Sequence, residues 1–153
     1  MTGEESWSNK ECNMAISSFG SLLKLGNGAS TETFATIAEV KDIKFKIKLE
    51  TEETTSHSST DGWVERVPTL LDGDKVKFKA NWIPGDATQS FSAGLLKEMV
   101  SRTKRNFQLV IPTTSPVTWT IPAYVSDFAG ELPVKGVAEI EVELTVTGKP
   151  TLA

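Results

Sequence analysis

From Ile43 to Leu49 every odd residue is apolar and every even residue is a lysine. The same two-residue period returns from Val137 to Thr147, with Ile140, Val142, Leu144 and Val146 on one face and Glu139, Glu141 and Glu143 on the other. A period of two is the pleat of a strand that buries one face and wets the other. As helices, both segments would scatter their apolar residues around the whole cylinder. A chain holding two such segments is committed to a sheet with a charged face.

The remaining segments fit that sheet. Val76 to Trp82 alternates again, after a turn at Asp72-Gly73 and before Pro84-Gly85. The first strand extends back toward Phe34, and the step from Ile37 to Val40 breaks its alternation, as a bulge or short gap would. Leu22, Leu23 and Leu25 form a short apolar stretch ended by the turn Gly26-Asn27-Gly28. Leu95, Leu96, Met99 and Val100 recur at helical spacing, which predicts one amphipathic helix over 92–103. Ser92 would be its N-cap, and Arg102, Lys104 and Arg105 would sit at its cation-favouring end. Phe107–Ile111 and Val117–Phe128 complete the strands, with Pro122 marking an edge or bend. The expected fold is mainly β: a β-sandwich or half-barrel with one flanking helix. Residues 1–20 form a polar arm, and 21–153 form one domain.

Between the first two alternating segments lie thirteen residues, Glu50 to Gly62, without one hydrophobic side chain. That is too long for a tight turn, and loops of this length are functional or disordered. His57 lies there among Ser56, Ser58, Ser59 and Asp61, a composition that mimics a Ser/His/Asp set. Neighbours on one polar loop lack the rigid geometry of a triad, so no catalytic residue is assigned. Glu50, Glu52, Glu53 and Asp61 do not follow the spacing of a calcium loop, so no metal or cofactor is expected. One histidine and one cysteine, Cys12, exclude His-rich and Cys-cluster metal sites and an internal disulfide framework. A net charge of −4 is the wrong sign for gripping nucleic acid over the whole surface. No apolar run approaches the ~20 residues of a membrane helix, and no membrane partner is expected.

The charged strand faces admit two readings. Lys44, Lys46 and Lys48, Lys75, Lys77 and Lys79, and Glu139, Glu141 and Glu143 are solvated faces with cross-strand ion pairs within one chain. Alternatively, lysine and glutamate strands meet across subunits or line a shared aqueous channel. Long edge strands are pairing-competent, and charge can set their register.

Three stretches taken in order resemble one family. They are Leu23-Lys24-Leu25-Gly26-Asn27-Gly28 running on through Glu32 to Ile43, then His57-Ser58-Ser59-Thr60-Asp61-Gly62-Trp63-Val64-Glu65, and the closing Val142 to Pro150. The order is similar to that of tail tube (major tail) proteins of long non-contractile-tailed bacteriophages, over about residues 20–153. The resemblance implies a structural protein of the virion, made in the host cytoplasm, with no enzyme activity. It implies hexameric rings of this chain stacked into a hollow tube with a continuous inner β-barrel. By the same resemblance, the partners are the chain itself, a tape-measure protein, tail terminator and tail-tip proteins, and double-stranded DNA in transit.

On that basis Glu139, Glu141 and Glu143 are the lumen-facing candidates. Lys44, Lys46, Lys48, Lys77 and Lys79 are the inter-subunit strand candidates. Glu50, Glu52, Glu53, His57 and Asp61 are the ring-to-ring candidates on loop 50–62. Two other readings are a tube subunit of a related injection device, bacteriocin or secretion-system type, and a monomeric β-sandwich binding module using that loop.

Overall fold

The strand-forming segments pair by burying their apolar alternates against one another. In the computed structural model, which describes residues 15–152, the chain runs through β1 (Leu22–Gly26), β2 (Phe34–Thr36), β3 (Val40–Phe45), β4 (Lys48–Glu53) and β5 (Arg66–Asp72). It continues through β6 (Lys75–Asn81), α1 (Leu95–Ser101), β7 (Arg105–Ile111), β8 (Val117–Glu131), β9 (Glu139–Val146) and β10 (Thr151–Leu152). One antiparallel sheet has the order β2-β1-β7-β8-β9-β6-β3, with β10 beside β8. Among the described residues, β4 and β5 pair only with each other.

Register explains the core. Val76, Phe78 and Ala80 of β6 lie opposite Leu144, Val142 and Ile140 of β9, and all six are at most 2% exposed. β8 then folds the sheet over. Its first half pairs with β7 and its second half with β9. Three strand spacings of ~4.8 Å separate β3 from β8 along the sheet. Yet the Phe45 ring of β3 meets the Trp119 ring of β8 edge-on, centroids 5.1 Å apart. Leu23, Leu25, Phe107 and Leu109 from one half therefore pack with Phe78, Val142 and Leu144 from the other. α1 seals this core through buried Leu95 and partly buried Met99. The mainly β, single-helix architecture is the one expected.

Several local expectations need correction. The lysine strand does not run from Ile43 to Leu49: β3 ends at Phe45 and a new strand begins at Lys48. Phe45, Ile47 and Leu49 are about half exposed, so the odd face beyond Ile43 is not core. The alternation persists, but past Phe45 the chain has left the sheet, and among the described residues no second layer covers Ile47 and Leu49. Residues 50–62 are not all loop, because Thr51–Glu53 pair with β5. β5 has no place in the sequence-based strand set because Pro68 interrupts its pattern.

The helix is shorter than 92–103 and its N-cap is Gly94, not Ser92. A Cβ on Gly94 would lie 2.5 Å from the Thr88 carbonyl carbon and 2.6 Å from the Gln89 nitrogen, so only glycine lets the helix start this close to the preceding turn. Arg102 takes the left-handed C-cap position, and Arg105 leaves the helix end to pair with buried Glu98 at 3.0 Å. Pro122 marks the bend rather than an edge, for it lies beside Ala123, where β8 passes from β7 to β9. Its carbonyl accepts the Thr147 N–H at 2.8 Å, so its own nitrogen faces the irregular 147–150 segment between β9 and β10, where no ladder donor is required. The N-terminal arm, with Cys12, lies outside the described residues up to Asn13 and Met14; from Ala15 to Gly20 the segment is exposed.

Candidate assembly surfaces

Four features of the surface stand outside the chain's hydrophobic core. The first is the β4–β5 hairpin. No residue of β5 is buried, and in β4 only Glu50 is partly covered. Leu49 faces Leu71 across the hairpin and Glu52 faces Val67. β4 alternates, so these pairs lie on opposite faces, and the arm shows aliphatic side chains on both. Trp63 and Val64 near its tip are also exposed. The tip holds its shape by local bonds: the Thr54 N–H donates to the Glu65 carbonyl at 2.8 Å, and the Ser59 hydroxyl to a Glu65 carboxylate oxygen at 3.1 Å. Ser56 and Ser58 bond each other at 2.9 Å, and no bond among the described residues engages the His57 ring. Asp61 adopts φ 55° inside a 3₁₀ turn at Thr60–Gly62. Glu50, Glu52 and Glu53 are thus arm residues, while His57 and Asp61 are tip residues.

The second feature is the charged face of β3, β6, β9 and the end of β8. Lys77 lies opposite Glu143, and Lys79 opposite Glu141. Asp127 and Glu131 of β8 lie opposite Glu143 and Glu139, while Lys44 lies opposite Lys77. Acidic residues therefore dominate the β8–β9 half, and basic residues the β6–β3 half. Lys75 and Lys77 reach Glu143 at 2.6 and 3.2 Å, and Lys41 pairs with Glu139. Lysine and glutamate strands do meet within one chain. Lys46 and Lys48 instead lie at the base of the arm, beside Asp74 at 3.5 Å and Glu50 at 2.9 Å.

Hydrogen bonding from Lys75, reinforced by Lys77, holds the Glu143 carboxyl below its ordinary range, and Glu143 raises Lys75 in turn. The Lys41 bond lowers Glu139 likewise. A carboxylate with a lowered folded-state pKa contributes stability that is complete above the ordinary glutamate value of about 4.3 and is lost as pH falls through the lowered value. The unfolding-temperature gap between the native chain and Glu143→Gln should therefore stay constant from pH ~8 to ~6 and close below pH ~4. Thermal melts across that range check it.

The third feature is a pair of strand edges without a strand partner among the described residues. Among the described residues, β3 has β6 on one side and no strand on the other. β8 past Ala123 has β9 on one side, while its β7 partner stops at Arg105. β6, which carries Lys77 and Lys79, has both edges filled. A contact by those lysines is made through their side chains, whereas Lys44 lies on the free edge strand. Beside that edge, Ile16–Ser21, Val40–Phe45, Leu109 and Ile111 surround an open groove of about 1020 Å³. The fourth feature is the exposed apolar turn between β8 and β9, at Leu132, Val134 and Val137.

A family model described as lambda phage tail tube protein matches residues 19–153. A search of curated proteins by sequence gives no match. Among solved structures, the tail of an empty gene transfer agent particle with C6 symmetry is similar at TM-score 0.74 and 20% identity, covering 91% of this chain and 99% of that one. The SPP1 tail tube is similar at TM-score 0.67 and 15% identity, covering 86% and 75%. A chain of an extracellular contractile injection system, in its extended sheath–tube complex, reaches 0.67 at 13% identity, covering 97% of both chains.

Proposed function

Because the chain belongs to the lambda phage tail tube protein family, we propose that it is the repeating subunit of a phage tail tube, built of stacked hexameric rings around a DNA-conducting lumen. It acts as a virion structural protein and not as an enzyme. The observation that carries this reading is the pair of free edges on one four-stranded layer. β3 is antiparallel to β6, β6 to β9, and β9 to β8. A neighbour's β8 placed against β3 continues the alternation without a break. Such an edge-to-edge contact is heterologous, and closing it as a ring removes every exposed edge of that layer. Charge favours the same partner: the β3 edge carries Lys41 and Lys44 against one acid, Asp42, and the outer β8 edge carries Asp127 and Glu131. The six-fold gene transfer agent tail supports six copies.

In this ring the charged face lines the lumen, with Glu139, Glu141 and Glu143 as its wall. Lys75, Lys77 and Lys79 line the same wall beside them, so the lumen is striped with acid and base rather than uniformly acidic. Lysines already paired with carboxylates offer DNA fewer free cations, and transit does not require breaking a continuous set of phosphate contacts. The arm with Glu50, Glu52, Glu53, His57 and Asp61 reaches the adjoining ring. Tape-measure, terminator and tail-tip proteins are the partners at the lumen and the two tube ends. The residues matched by the phage family model favour a phage or phage-derived DNA carrier over a contractile injection device.

Electron microscopy of the concentrated protein, with helical reconstruction, tests this. The expected result is hollow tubes of six-fold rings with the β6–β9 charged face inside. Tubes with that face outward would overturn the lumen assignment. A chain that stays monomeric at every concentration, even with its tail-tip partners present, would overturn the function.

A further inference from the structure

The layer β3-β6-β9-β8 carries a different device at each end. The β4–β5 arm leaves from the end where Phe45 faces Val76 and Ala123 faces Val146. At the other end Val40 faces Ala80, Glu131 faces Glu139, and residues 132–138 join β8 to β9. In that turn Leu132, Val134 and Val137 are 69%, 104% and 61% exposed. Three aliphatic side chains on one short turn are stabilised by leaving water, and the described residues provide no cover. The turn is also held in place. The Trp82 N–H donates to the Ala138 carbonyl at 2.8 Å, and Gly136 takes φ +128°, a backbone conformation that L side chains rarely adopt. A preformed apolar knob loses little entropy on docking.

We infer that this β8–β9 turn receives the β4–β5 arm of a second copy of the chain, in the adjoining ring. The inference rests on the tube reading and adds the surface that the arm engages. Arm and turn project from opposite ends of the same strands, so a shift along the strand direction brings one copy's arm to the next copy's turn. A head-to-tail contact of that kind repeats without limit, as a filament requires. The surfaces also match chemically. Leu49 and Leu71, on one face of the arm, meet Leu132, Val134 and Val137 on the turn. Residues 48–72 hold six acidic side chains against two basic ones, and the only charge on 132–138 is Lys135.

Site-directed cross-linking tests the contact. In a Cys12→Ser background, a Leu71→Cys chain and a mass-tagged Val134→Cys chain are mixed, assembled and mildly oxidised. The expected product is a mixed disulfide dimer, at least about tenfold more abundant than when Val100→Cys on α1 replaces Val134→Cys. Tubes visible by microscopy without that dimer would overturn the inference and leave the tube reading standing. Equal cross-linking to Val100→Cys would overturn it too, since the arm would then lie sideways against its own ring. Absence of tubes from the unsubstituted chain would instead count against the tube reading itself. As a second measure, Leu132→Ser/Val134→Ser/Val137→Ser should melt like the native chain and form rings that do not stack; stacking at native length would overturn the inference.

Discussion

Deletion of residues 48–72 yields a folded protein that melts within a few degrees of the native chain and forms no tubes. The deletion joins Ile47 to Gly73, so that Lys46, Ile47, Gly73 and Asp74 link β3 to β6. Four-residue connections are common in antiparallel pairs. Asp74 is already shaped for a turn, at φ 48°, with its N–H donated to the Asp72 side chain at 2.8 Å in the native chain. The arm contributes no buried residue to the core. Removing it therefore changes stability by about 1 kcal/mol at most, or ~2–4 °C for a domain of this size. Assembly loses its whole arm surface. Circular dichroism melts and electron microscopy of the same preparation read the two halves of this prediction. A large fall in melting temperature would show that the arm packs on the core, and tubes of normal length would show that it does not join rings.

Phe78→Ala has the opposite profile. Phe78 is 1% exposed, with Val142 on one side and Ile43 on the other. Truncating a buried phenylalanine in a core this tight loses its transfer energy and leaves a cavity, at a cost of about 3–5 kcal/mol. Domains of this kind hold only about 5–15 kcal/mol in total. Urea denaturation should show a midpoint shifted down by a large fraction with an unchanged slope. The variant should lose tubes because it loses folded subunits, and its remaining folded fraction should still assemble. A cost below about 1 kcal/mol would place Phe78 outside the core.

The alternating segments carried most of the fold. Val76–Trp82 and Val137–Thr147 became β6 and β9, with their apolar sets buried as the period requires. The turn at Asp72-Gly73 also formed. A Cβ on Gly73 would lie 2.4 Å from a Val146 methyl, so the close approach of turn to β9 needs glycine. The charged faces were legible as well, because the register places lysine opposite glutamate with no further information. What failed was local reasoning at the ends. Ser92 is a better cap than glycine by propensity, yet the packing of residues 88–90 under the helix start leaves room only for Gly94.

By itself, the sequence determined which residues alternate, which charges share a face and where the helix lies. These are short-range properties, set by backbone geometry and by the spacing of side chains along a few residues. Only the tertiary structure decided which alternating faces are buried. Ile43 and Leu49 belong to one pattern, but a second layer exists above the first and not above the last. It also decided that Thr51–Glu53 pair with Arg66–Pro68 and that β3 and the end of β8 keep edges without a strand partner among the described residues. An edge or an uncovered face is defined by where a distant strand stops, and that depends on pairing between residues far apart in the chain.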